Sequence, residues 1–215
     1  MIVQNALNRP NFVIEVRQQI LTSSGTYTPP SNLINALVRI VGGGGGGGGM
    51  PATASNQASC VGTSGSAAWV INSYTLANLS PNVSYTVGAG GAGGAAGQTT
   101  GSVGGSTTWV SSVAGGGGAS TGGVASTGQT SSSGGLGGSA TAGGGNSSLG
   151  FIGSGMVVAG TTPRARRTRM PSSSIVQAGY GGGALGRFQV GSSAAQAGIA
   201  GQPGVIIITE FLRRV

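Results

Sequence analysis

Eight glycines in succession, Gly42–Gly49, follow directly on a hydrophobic segment that ends at Val41. Such a run has no side chain to bury, and glycine loses more conformational freedom on ordering than any other residue. It is therefore either a flexible linker or a stretch whose backbone groups find partners of their own. The run is the extreme of a wider pattern. Of the 47 glycines, Gly25 alone precedes Gly42 and Gly204 alone follows Gly201, so the other 45 lie between these limits. The chain has a glycine-poor start, a glycine-rich middle and a glycine-poor end.

Composition argues against a purely flexible middle. Only 6% of residues are charged, against roughly 25% in an ordinary soluble domain, and charge is what keeps disordered chains solvated. The segments 42–49, 88–105, 115–145 and 179–201 interleave glycine with Ala, Ser, Thr and Val instead. Extended backbones without Cβ atoms can lie side by side and hydrogen-bond laterally, as in polyproline-II-type packing. Segment 88–97, Gly-Ala-Gly-Gly-Ala-Gly-Gly-Ala-Ala-Gly, supplies glycine at such contact surfaces. No strict Gly-X-Y period runs through the chain, which excludes collagen. The choice between packed polyglycine-II-like segments and long glycine-rich loops stays open at this level.

The flanks predict strands. Residues 35–41 alternate Ala36, Val38 and Ile40 with Leu37, Arg39 and Val41, a period of two rich in β-branched residues. Residues 204–211 contain Val205-Ile-Ile-Ile208, suited to a central strand, and Gln202-Pro-Gly204 before them predicts a turn. Further strands are predicted near 68–76, 83–88 and 106–110, with a turn at Ser80-Pro-Asn82. Residues 18–22 and 25–28 are expected to pair around Ser23-Ser-Gly25, with Pro29 and Pro30 breaking the chain after them. The fold class expected is all-β: a small antiparallel β-sandwich carrying the glycine-rich segments, with few or no helices. Residues 1–21 form an attachment segment or a first strand, with a helix over the first fifteen as an alternative. Residues 22–215 form the glycine-rich β domain.

The residue inventory removes most chemistry. There are ten arginines and two glutamates (Glu15 and Glu210), with no Lys, His or Asp. A Ser-His-Asp triad, a lysine Schiff base and a close carboxylate pair are out of reach. A single cysteine, Cys60, allows neither an intrachain disulfide nor a zinc site, and is expected to be a small apolar residue. No catalytic, metal or cofactor site is expected, and the chain is not expected to be an enzyme. No apolar run approaches the ~20 residues of a membrane span, and residues 1–11 lack the apolar core of a secretory signal.

Two features stand out as candidate binding elements. Arg164, Arg166, Arg167 and Arg169 carry four of the ten arginines within Thr161–Met170. No acid lies nearby, so an exposed basic loop is expected, able to grip phosphates or an acidic partner or simply to be solvated. Nucleic acid is not expected, because RGG repeats and a recognised RNA-binding fold are lacking. Tyr180, set in Ala-Gly-Tyr-Gly-Gly-Gly, is the aromatic expected to be exposed. Trp69, Tyr74, Tyr85 and Trp109 fall in predicted strands and are expected to pack in the core.

Taken in order, four pieces resemble the glycine-rich domain of bacteriophage tail-fibre and adhesin proteins. They are Ser24-Gly-Thr-Tyr-Thr-Pro-Pro30 with the strand and glycines that follow, Asn82–Gly94, Gly104–Val110 and Gly201–Phe211. The resemblance spans about Thr22 to Phe211. It implies a β-sandwich with glycine-rich excursions in a virion appendage, assembled in the host cytoplasm. Implied partners are other virion subunits, further copies of the chain (a homotrimer, as in most fibres) and a host cell-surface glycan or protein receptor. The alternative is a purely architectural virion element such as a capsid decoration, tail tip or baseplate part. A non-viral matrix or ice-binding protein is a third reading, and regular ranks of exposed glycine-rich backbone would favour it. The family contributes no catalytic or metal residues. Segment 149–174 has no obvious counterpart in it, and only a short stretch precedes the domain where the family usually carries a shaft.

Overall fold

The computed structural model describes residues 13–128, 131–132, 134–141, 158–159 and 179–214. The first strands are β1 (Val13–Leu21), β2 (Gly25–Tyr27), β3 (Leu33–Val41), β4 (Ala58–Val61) and β5 (Trp69–Tyr74). A one-turn helix, α1 (Leu76–Leu79), leads to β6 (Val83–Thr86), β7 (Thr107–Trp109) and β8 (Ser112–Ala114). Two-residue strands β9 (Ser131–Ser132), β10 (Ala140–Thr141) and β11 (Val158–Ala159) follow, then β12 (Arg187–Val190) and β13 (Val205–Arg214).

Two antiparallel sheets form the sandwich. One has the order β1-β13-β3-β5, the other β10-β8-β7-β6-β2. The alternation foreseen in β3 is realised: Ala36, Val38 and Ile40 are buried, and Val38 and Ile40 lie opposite Ile208 and Ile206 of the central strand β13. From the facing sheet come Tyr27, Val83, Trp109 and Ala114. Trp109 is wholly buried, with the rings of Tyr27 and Tyr85 5.3 and 5.6 Å away. Asn72 Nδ2 donates to Ser112 Oγ at 2.6 Å inside the core, tying β5 to β8 across the two sheets.

Two local expectations are corrected. The segments around Ser23-Ser-Gly25 do not pair with each other. β1 joins β13 in one sheet and β2 joins β6 in the other, so the Ser-Ser-Gly link crosses between layers. β1 finds a ten-residue partner in β13, and Tyr27 of β2 is buried against Val83 and Trp109 of the facing sheet. Gln202-Pro-Gly204 is extended rather than a turn: the Gln202 carbonyl accepts from Gly44, and the Gly204 N–H donates to Gly88. The Ser80–Asn82 turn is present, with a cis Ser80–Pro81 peptide.

Between the strands lie eight extended segments, numbered here as polyglycine helices in chain order. Helix I spans 42–50, II 62–68, III 88–97, IV 99–105, V 115–123, VI 134–139, VII 181–186 and VIII 196–204. Most continue a strand of the sandwich. Helix I prolongs β3, III prolongs β6 and V prolongs β8, while II, IV, VI and VIII run into β5, β7, β10 and β13. The sandwich therefore carries the bundle at one end.

Candidate functional site

A polyproline-II-type helix has three residues per turn and no internal hydrogen bonds, so every backbone group must look sideways. Helix I shows what this requires. Gly43, Gly46 and Gly49 donate to Gly105, Ser102 and Thr99 of helix IV. Gly44, Gly47 and Met50 donate to Gln202, Ile199 and Gln196 of helix VIII. Gly42 and Gly45 donate to Ala68 and Gly65 of helix II. The carbonyls repeat the pattern. Those of Gly44, Gly47 and Met50 accept from Gly91, Gly94 and Gly97 of helix III, and those of Gly43, Gly46 and Gly49 from Gly117, Ser120 and Gly123 of helix V. The Gly45 carbonyl accepts from Ala184 of helix VII. Each series steps by three residues, and the bonds from helix I fall between 2.8 and 3.1 Å.

Helix I is thus enclosed by six others. Around it, III bonds to IV, IV to V, V to II, II to VII, VII to VIII and VIII back to III, a closed hexagonal ring. Helix VI lies outside the ring, in the groove between V and II. The ladder between III and IV shows these two running in opposite directions: the bond from Ser102 to Ala92 is followed by that from Gly105 to Ala89.

This geometry dictates composition. All of Gly42–Gly49 are buried. A Cβ built on Gly43 or Gly46 would run into the carbonyl of Ala89 or Ala92. Gly47 is the exception, with the Ala184 methyl 3.2 Å from its virtual Cβ. Ring helices need glycine only where they face inward or touch a neighbour. In helix III, Gly88, Gly91 and Gly94 are buried while Ala89, Ala92 and Ala95 are exposed, a Gly-Gly-Ala repeat written out by the packing. Three hydroxyls adjust the lattice where the repeat fails. Gly48 finds no carbonyl of helix II, and Ser120 Oγ accepts instead at 2.9 Å. Ser64 Oγ donates to the Gly45 carbonyl at 2.6 Å. Thr107 Oγ1 donates to the Val41 carbonyl at 2.7 Å and accepts from Gly88 at 3.0 Å, joining three elements at the strand-to-helix junction.

The eight glycines of helix I, at about 3.1 Å each, extend about 25 Å. The bundle therefore holds a set of connections well away from the sandwich: 51–61, 95–99, 124–128 and 187–195. These pair among themselves through β4 and β12 and through bridges Met50–Gln196, Thr53–Ser193 and Ala58–Ser126. Gly97 turns III into IV with φ of 113°, a conformation costly for any residue with a Cβ. The far end exposes Ser55, Asn56, Gln98, Thr127 and Ser192, with Phe188, Val190 and Val124 among them. Its one cation among the described residues, Arg187, is held by Gln196 Oε1 at 2.6 Å and the Ala197 carbonyl at 3.0 Å. The described part of this surface is hydroxyl- and amide-rich, with one accessible aromatic ring.

Tyr180 is not at this end and not at an exposed tip. It is half-buried against Val41, Ala67 and Val205, where the sandwich meets the bundle. Arg164, Arg166, Arg167 and Arg169 lie outside the described residues. The core aromatics fall as foreseen for Tyr74 and Trp109, while Trp69 is half-buried on the outer face with Arg39 5.9 Å above its ring. Cys60 is buried in β4. Nothing in the sequence singled out the far-end surface; the Gly-Ala-Gly stretch signalled only lateral packing.

The two carboxylates both face arginine. Glu210, fully buried, takes Arg17 Nε at 2.6 Å, Gln19 Nε2 at 3.0 Å and the Tyr27 hydroxyl at 2.6 Å. Burial, and then the hydrogen bond to Glu210, push the Tyr27 phenol above its ordinary range, and the Glu210 bond raises Arg17. Glu15 pairs with Arg214 at 2.6 Å on the surface. Among the described residues, no group of three His, Cys, Asp or Glu comes together, and no helix is long and apolar enough to cross a membrane.

A family model described as a glycine-rich domain matches residues 21–207. The chain belongs to this glycine-rich domain family. The match begins at the last residue of β1 and closes within β13, so it takes in the whole bundle, the sheet β10-β8-β7-β6-β2 and, of the other sheet, β3 and β5. No curated protein matches the chain. As a member of the glycine-rich domain family, the protein owes its defining composition to the contacts of helix I and its ring.

Proposed function

We propose that this glycine-rich domain protein is a non-enzymatic component of a bacteriophage virion, a tail-fibre or adhesin subunit that attaches the particle to the host cell surface. The observation that supports this reading most is the bundle itself. A stiff rod about 25 Å long has one end rooted in a sandwich and the other crowded with exposed hydroxyls, amides and Phe188. That surface suits the hydroxyl groups and flat faces of a glycan, and equally the polar face of an outer-surface protein. The sandwich end serves other virion subunits and further copies of the chain. The resemblance in motif order supports a phage appendage as the setting.

Labelled full-length protein incubated with host cells, before challenge with the phage, tests the reading. Coating of the cells and blocked adsorption, both lost when 51–61 and 187–195 are replaced by short Gly-Ser connections, are expected. Absence of cell binding together with high-copy incorporation into particles would move the protein to the architectural class. The ice-binding reading finds one observation in its favour, the regular rank Ala89, Ala92 and Ala95 on helix III. The adjacent ranks expose Val103 and Ile199, so the surface is not flat, and no thermal hysteresis is expected from the purified protein.

A further inference from the structure

Strand β1 is the outermost strand of its sheet and pairs only with β13 among the described strands. Its nine residues pair in unbroken register from Val13 opposite Arg214 to Leu21 opposite Ile206. Proteins blunt a free edge with proline, a bulge, a short strand, unpaired or inward-pointing charges, or a covering loop; the two charges of β1, Glu15 and Arg17, are each paired within the chain, to Arg214 and Glu210. β1 contains no proline, no break in register and no cover among the described residues. Ile14, Val16 and Ile20 are 53%, 60% and 58% exposed on the sheet's outer face, continuing the apolar surface of Ile207 and Phe211 that lies opposite Ile20 and Val16.

The charges on β1 select the occupant. Glu15 and Arg17 flank Val16 on the opposite face; although paired within the chain to Arg214 and Glu210, their side chains keep 37% and 47% exposure, which a partner strand can meet. An antiparallel copy of β1 with its two-fold axis at Val16 sets Glu15 against the partner's Arg17 and Arg17 against the partner's Glu15. Val16 then meets the partner's Val16, with the partner's Ile14 on the diagonal. An axis at Arg17 would instead oppose two arginines. We infer that β1 is a homodimer contact, in which two copies join edge to edge into one continuous sheet centred on Val16. The contact is two-fold and isologous, so assembly of an odd-numbered ring would need a second, different surface. The four-stranded sheets become one of eight strands, with the two bundles carried at its outer parts.

Light scattering coupled to size exclusion, and sedimentation equilibrium, on the full chain over a range of concentrations test this. A dimer is expected. Val16→Lys places two like charges on the axis and should raise the dimer dissociation constant by about tenfold or more, with the melting temperature of the monomer unchanged because the side chain is exposed. Glu15→Arg should weaken the dimer similarly, and Val103→Lys, exposed on helix IV, should leave it intact. A monomer at all concentrations, a trimer, or a dimer that survives Val16→Lys or Glu15→Arg would overturn the proposal. So would equal weakening by Val103→Lys.

Discussion

A single methyl group separates two kinds of glycine in helix I. At Gly46 an added Cβ meets the Ala92 carbonyl and the backbone of helix III, which cannot retreat without breaking its own bonds to IV and VIII. Gly46→Ala should cost about 3 kcal/mol or more. At Gly47 the nearest atom is the Ala184 methyl at 3.2 Å, so Gly47→Ala should stay within about 1 kcal/mol of the parent, because the lost chain entropy of the unfolded state offsets the tight contact. Denaturant unfolding of the two variants side by side checks both. The same scale holds the pH response. With the Tyr27 phenol raised by burial and by Glu210, the unfolded chain loses this proton above about pH 10 while the folded chain keeps it. The stabilisation is complete below that pH and declines as pH rises toward the folded value. Tyr27→Phe should cost about 1–3 kcal/mol at neutral pH and flatten the alkaline fall in melting temperature.

At the scale of elements, the three-residue repeat makes the bundle intolerant of changes in length. Inserting one glycine into 42–49 turns every later residue of helix I toward the wrong neighbour, and the ladders to helices III, IV, V and VIII lose register together. Such a variant should lose its cooperative thermal transition, whereas three residues added among the exposed 54–56 should change the melting temperature little. Circular dichroism melts distinguish the outcomes. Strands β3 and β13 were legible in the sequence because burial on a sheet imposes a period of two and β-branched residues. The bundle was only half legible. Glycine runs signalled lateral packing, but each ring helix must be glycine only at inward and contacting positions, so no uniform Gly-X-Y pattern survives across helices with different neighbours. Gln202-Pro-Gly204 shows the same limit: proline fits the extended backbone of a polyproline-II-type helix as well as it fits a turn. Strands β4, β8 and β12 went unforeseen because they are four residues or fewer, too short to display a period of two. Tyr180 was expected to be exposed among its glycines, yet it is half-buried against Val41 and Val205, with Gly179 and Gly181 on either side at positive φ.

For the whole molecule, glycine content is a rigidity device. Seven backbones in hexagonal array, each bonded to its neighbours, replace the side-chain core that the middle of this chain lacks. The sandwich supplies the hydrophobic burial that nucleates the array, since seven of the eight helices run directly into or out of its strands. A rod of this kind can hold a far-end surface at fixed distance and orientation, which is what attachment through that surface requires. Residue-resolved amide hydrogen exchange on the full chain tests this most directly. The amides of Gly43–Gly49 are expected to exchange as slowly as those of β3 and β13, through global unfolding. Exchange of those amides at the rate of an open glycine loop, with β3 and β13 still protected, would contradict it.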